Sequence, residues 1–211
     1  MNDQSSDAQE SAKAAAHSED IQEQIKNITM AALSERQLDK ENIKHVVSSV
    51  LTGVMEGLGD SAERMKPQLE EALSGIDDAL SKSAIAAKLA TEEATSKVET
   101  FAKQDVKQAL DEIEKLEDLF IDTVNSVASQ SGHLSSTVLK ELSGHLKNSG
   151  TQAGKEAIAA ADSLRNIIFE MSKGSVNEIA AATQTAGNQF AQIASGILSG
   201  MADAVKPKNK E

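Results

Sequence analysis

The residues best suited to chemistry are four histidines, His17, His45, His133 and His145, in a chain that holds no cysteine, tryptophan or tyrosine. Imidazole binds metals and moves protons near neutral pH. Two of the four follow a glutamate by four positions, Glu41 to His45 and Glu141 to His145. Such positions share a helix face, whereas di-iron bundles set Glu and His three apart so that both ligands aim into the core. One carboxylate and one imidazole per helix falls short of the ligand count of a transition-metal site. The pairs read as surface hydrogen-bonded pairs, and no metal is expected.

The segment Gly150-Thr151-Gln152-Ala153-Gly154-Lys155-Glu156 has the look of a phosphate loop. It fails on spacing, lacks the Ser or Thr that would hold Mg²⁺, and follows no strand. It reads as the start of a helix. Acid pairs such as Asp77-Asp78 and Glu92-Glu93 are adjacent in sequence; neighbours on a helix diverge by about 100°, so they do not bracket one bond as glycosidase carboxylates do. They read as solvated faces. Nucleophilic triads are defined by geometry, and nothing in the order of Ser, His and Asp points to one here. The expectation is a non-catalytic protein without catalytic residues or a cofactor.

The elements that would position any such group are helical. The 211 residues include 31 alanines, two prolines and four phenylalanines, with 52 Val, Ile, Leu, Met and Phe together. A sandwich or barrel needs β-branched and aromatic strands punctuated by Gly and Pro. A net charge of −12 argues against general nucleic-acid binding, and no window of about 20 residues is apolar enough for a stable transmembrane span. The N-terminus has no charged-then-apolar signal pattern, and the lack of cysteine fits a reducing compartment, so a cytoplasmic protein is expected.

Residues 1–19 are polar, acidic and without apolar periodicity, and read as a disordered tail. Residues 20–205 read as one all-α domain of elongated amphipathic helices, arranged as coiled-coil-like hairpins or a bundle, and 206–211 as a short basic tail. Helical spacing begins at Ile21, Ile25, Ile28 and Ala32. Asp39 is placed to cap a helix carrying Ile43, Val46, Val47, Val50, Val54 and Leu58, which Gly57 and Gly59 end. A long periodic region follows, with Asp60 and Glu63 as a capping box and Pro67 in the first turn. Unbroken from 61 to 131 it would extend about 105 Å. Ser74-Gly75, the alanine run at 84–94 and a phase slip near Asp105 are the expected breaks. Ser131-Gly132 marks a corner, Leu134, Val138, Leu142 and Leu146 a short helix, and Asn148-Ser149-Gly150 its end. The last region carries Ile158, Ala161, Leu164 and Ile168, then Val176, Ile179, Thr183, Ala186, Phe190, Ile193, Ile197 and Met201, with Lys173-Gly174-Ser175 as a possible split.

Charge is uneven. Residues 92–122 carry ten acids and four bases, whereas residues 174–202 carry one charge, Glu178. A helix with little charge on any side is buried among partners or lies at an apolar interface. Two glycine pairs at GxxxG spacing, Gly53/Gly57 and Gly196/Gly200, permit close helix approach, within a bundle, between chains or on insertion into a membrane. The expected interaction surface is Phe190, Ile193, Gly196, Ile197, Leu198, Gly200 and Met201.

Three blocks, Ile25-Lys-Asn-Ile-Thr29, Glu41-Asn-Ile-Lys44 and above all Gln192-Ile-Ala-Ser-Gly-Ile-Leu-Ser-Gly-Met-Ala-Asp203, resemble an uncharacterised family of acidic helical proteins from proteobacteria, over residues 20–207. That family brings no assigned activity and no site residues. In composition and periodicity the chain is also similar to phasins, the self-associating helical proteins that coat polyester storage granules. The resemblance implies a protein that self-associates or coats a hydrophobic surface such as a lipid or granule interface. The alternatives are a soluble homo-oligomeric scaffold and a membrane-active effector. Each follows from one expectation: apolar ribbons this narrow, flanked by alanine, need partner area to be covered.

Overall fold

Apolar residues at three-and-four spacing, with polar residues between, build the described elements as helices. The computed structural model describes residues 3–34, 39–59, 62–97 and 103–173. In chain order these form α1 (Asp3–Ala15), α2 (Ile21–Ser34), α3 (Lys40–Leu58), α4 (Ala62–Lys97), α5 (Lys103–Glu114), α6 (Leu116–Gln130), α7 (His133–Ser149) and α8 (Gln152–Lys173).

The 36-residue α4 is the spine. α2 lies along one side of it and α8 along another, and α5 packs against α8. α1 packs on α3, α3 on α6, and α6 and α7 form a hairpin. Their apolar stripes meet in one core that includes Ile21, Ile25, Leu33, Val47, Val50, Leu69, Ile76, Leu80, Phe120, Val124, Leu139 and Leu164. The expectation that ribbons so narrow cannot be covered within one chain does not hold for this body. Among the described residues, seven helices and the long α4 supply one another with the area that a straight rod would lack.

Several boundaries follow local chemistry. Asp39 caps α3, its carboxylate accepting from the Asn42 amide N–H at 2.9 Å, and Glu41 sits in the first turn where the dipole favours it. α3 ends at Gly59, and Ser131 and Gly132 form the corner between α6 and α7. Gly150, at φ 75°, closes α7. Pro67 lies inside α4 beyond the first turn. The capping residue proposed for that helix, Asp60, lies outside the described residues.

The N-terminal tail is the main correction. Asp3–Ala15 is helical, and Ala8, Ala12, Ala15 and Ala16 are buried. The contact is made of alanine on one side and glycine on the other. A Cβ on Gly53 would overlap the Gln9 carbonyl, and one on Gly57 would overlap the Lys13 carbonyl and the Ala16 methyl. The first GxxxG pair therefore serves a tight crossing within one chain. Gly57 does not end α3; it receives α1.

Gly75 is likewise not a break. α4 runs through it, and a Cβ there would overlap the Gln22 carbonyl of α2. α4 also continues through the alanines at 84, 86, 87 and 90, all buried. Residues 98–102, between α4 and α5, lie outside the described residues, and Lys115, at φ −98° and ψ 1°, separates α5 from α6.

Candidate functional site

All seven residues of the expected interaction surface, Phe190, Ile193, Gly196, Ile197, Leu198, Gly200 and Met201, lie outside the described residues. The structure does describe α8, which precedes them in sequence, and shows how it is fixed.

The first turn of any helix has backbone N–H groups without intrahelical acceptors. At α8 these are met by carboxylates from two other helices. Asp77 of α4 accepts from the Gln152 and Ala153 N–H groups, one on each oxygen, both at 2.8 Å. Glu117 of α6 accepts from the Thr151 N–H at 2.7 Å and from the Thr151 hydroxyl at 2.8 Å. That hydroxyl in turn accepts from the Gly154 N–H at 2.8 Å. Negative charge at a helix N-terminus is favourable. Burial nevertheless pushes the Asp77 carboxyl above its ordinary value of 3.8; the two backbone hydrogen bonds pull it down, and the neighbouring charges of Asp78 and Glu117 push it further up.

The Gly150–Glu156 segment is thus a helix start, as its spacing implied, and its anion position is filled by the protein's own carboxylates. Gly154 is part of the fit, because a Cβ there would run into the Glu117 carboxylate. The reading of Asp77 as one of a solvated pair is corrected: it is half-buried and ties α4 to α8. Sequence reasoning missed both carboxylates because their partners are 75 and 34 residues away. The one local signal was a glycine in the first turn of a helix, where glycine is costly.

Further along, α8 turns Ala153, Ala157, Ala160, Ala161 and Leu164 inward. Ile158, expected on the buried stripe, is 63% exposed, and Phe169 is 59% exposed. The buried stripe keeps the expected Ala161 and Leu164, with Ile168 partly buried beside it, and has Ala157 and Ala160 in place of Ile158. Between the two exposed residues, Arg165 pairs with Asp162 and with Glu114 of α5, each at 2.6 Å. Ser163 donates to Glu92 of α4 at 3.0 Å. Along this face of α8, Ile158 and Phe169 flank the ion pairs of Arg165.

The remaining candidates are less organised. Glu141 is paired with Lys66 at 2.6 Å, which leaves His145 as the lone member of its expected pair on this carboxylate's side. Among the described residues no group of three or more His, Asp or Glu stands close enough to hold a metal ion. A cleft between α3 and the α6–α7 corner is walled by Ser48, Thr52, Gln130, Ser131 and Ser135 over Met55. Its Ser131 hydroxyl donates back to the Val127 carbonyl at 2.6 Å, so one of its polar groups is already committed. No described helix is long and apolar enough to cross a membrane.

The chain belongs to a family of unknown function, DUF6781, whose model matches residues 1–207. This accords with the resemblance to an uncharacterised family carried by the blocks at 25–29, 41–44 and 192–203. No curated protein and no solved structure matches the chain.

Proposed function

We propose that this is a non-catalytic amphipathic helical protein, phasin-like in its mode of action, whose helical body carries a C-terminal apolar stripe to a hydrophobic surface such as a lipid or polyester granule interface. The contact residues are Phe190, Ile193, Ile197, Leu198 and Met201. The observation that supports this reading is a division of labour. The stripes of α2, α3, α4 and α6 cover one another within the chain, while the sequence after α8 carries only Glu178 as charge through residue 202. Adhesion would then be hydrophobic, since that sequence lacks the Lys-rich rim and Trp of helices that bind anionic membranes. The test is flotation with lipid vesicles or isolated polyester granules. The wild-type chain co-floats, and Ile197→Asp with Met201→Asp abolishes flotation while the circular dichroism of the body is kept. Equal flotation of the double variant rejects the reading.

A second reading, self-association, draws on Gly53 and Gly57. In this chain that spacing receives a helix of small residues, and Gly196/Gly200 repeats it. The C-terminal stripe would then take a helix from a second copy. A monomer by sedimentation at low micromolar concentration, without lipid, eliminates this reading.

A further inference from the structure

α3 carries Ser48, Thr52 and Met55 at steps of four and three, which places them in line along one face over about 10 Å. That line is one wall of the cleft whose other wall is Val127 and Gln130 of α6 and Ser135 of α7. The cleft holds about 430 Å³, inside the range of about 300–1,000 Å³ that small-molecule sites occupy.

The hydrogen-bonding state of its walls is uneven. A serine or threonine inside a helix can turn its hydroxyl back to the carbonyl four residues before. Thr123, Ser129 and Ser131 of α6 and Thr137 of α7 do so, at 2.6, 2.8, 2.6 and 2.9 Å. The hydroxyls of Ser48, Thr52 and Ser135 do not, and among the described residues they meet no protein partner. Gln130 gives its amide nitrogen to the Ser126 carbonyl at 3.1 Å and hydroxyl at 3.2 Å, which leaves its amide oxygen as an acceptor. Among the described residues no lysine or arginine lines the cleft, and its one carboxylate, Glu56, is engaged by Gln9 at 2.9 Å and Lys13 at 3.6 Å.

What remains open is therefore a row of neutral groups over a floor of Met55 and Val127. A hydroxyl both donates and accepts, whereas a charged ligand would find no counter-charge left to pair with. The complement is a neutral molecule whose own hydroxyls alternate with C–H groups. We propose that this cleft binds a small neutral polyhydroxy compound, a monosaccharide or cyclic polyol, through the hydroxyls of Ser48, Thr52 and Ser135. The site lies wholly on the helical body, so it stands or falls separately from the adhesion reading.

The test is saturation-transfer NMR on the full-length chain, with its methyl resonances irradiated and millimolar glucose or myo-inositol as probe. Transfer to the ring C–H protons of at least one probe is expected. Ser48→Ala/Thr52→Val, which removes two hydroxyls with little change of shape, is expected to weaken binding about tenfold with the circular dichroism of the wild type. Ser135→Ala, on a different helix, is expected to weaken it several-fold and serves if the double variant loses its fold. Ser129→Ala, on the exposed side of α6, is expected to leave it unchanged. Glucose 6-phosphate and glucosamine are expected to bind no tighter than glucose. No transfer to either neutral probe overturns the proposal, as does wild-type affinity in the folded Ser48/Thr52 or Ser135 variants. Markedly tighter binding of the phosphate or the amine would assign the cleft to a charged ligand and overturn it as well.

Discussion

Glu117 and Thr151 are joined twice: one carboxylate oxygen, Oε1, accepts from the Thr151 amide at 2.7 Å and from its hydroxyl at 2.8 Å. This double contact sets where α8 starts relative to α6. With the bidentate grip of Asp77 it replaces a local cap by two distant ones.

Removing the Glu117 carboxylate strands the Thr151 amide and frees the hydroxyl that holds the Gly154 N–H. Glu117→Ala is expected to cost about 1–3 kcal/mol of unfolding free energy, read from urea denaturation. Gly154→Ala alone is expected to destabilise as well, because its methyl meets the same carboxylate. The double variant is expected to be less damaged than the sum of the two, a non-additivity that neighbours in contact show.

The Asp77 carboxyl has a folded-state pKa raised above its ordinary value of 3.8. The folded state therefore holds this proton more tightly than the unfolded chain. The stability attributable to Asp77 rises as pH falls from neutrality through the raised pKa, and levels off below about the ordinary value. Asp77→Asn removes this dependence. The stability of the wild type minus that of Asp77→Asn is expected to be larger at pH 4 than at pH 7, measured by urea titration at both.

The α1–α3 crossing leaves no room for a side chain. Gly53→Leu is expected to expel α1 and cost about 1–3 kcal/mol, in the range of overpacking. The diagnostic readout is local: amide protection across residues 8–16 falls to that of an unfolded peptide, whereas protection in α4 persists.

Phe120 is the one aromatic side chain in the described core, and it is fully buried. Phe120→Ala is expected to cost about 3–5 kcal/mol. Leu134→Ser, at a residue 38% exposed, is expected to stay within about 1 kcal/mol. A comparable loss from both would show that α7 is held against the body more tightly than its burial implies.

The fold class was legible because α2, α3, α6 and α7 carry Ile, Val and Leu at helical spacing, and the caps at Asp39 and Gly150 use local rules. What was not legible shares one cause. Where alanine or glycine makes the contact, bulky periodicity is the wrong signal. It passes over α1, whose face is Ala8, Ala12 and Ala15, and it assigns Ile158 inward when Ala157 and Ala160 are the residues packed beside the expected Ala161. Gly75 read as a break because a glycine that admits a neighbouring backbone looks the same in sequence as one that ends a helix. Asp77 and Glu117 were illegible for a different reason: each acts on a helix far along the chain, and adjacency to another acid says nothing of that. The expected interaction surface rests on sequence alone, since its residues follow Lys173.

The seating of α1 has a consequence for how the chain assembles during synthesis. A thirteen-residue helix with an alanine face is too short to hold its shape in water unaided, and its receptor, the furrow floored by Gly53 and Gly57, is made some forty residues later. α1 therefore waits on a helix made after it, and settles only once α3 has formed.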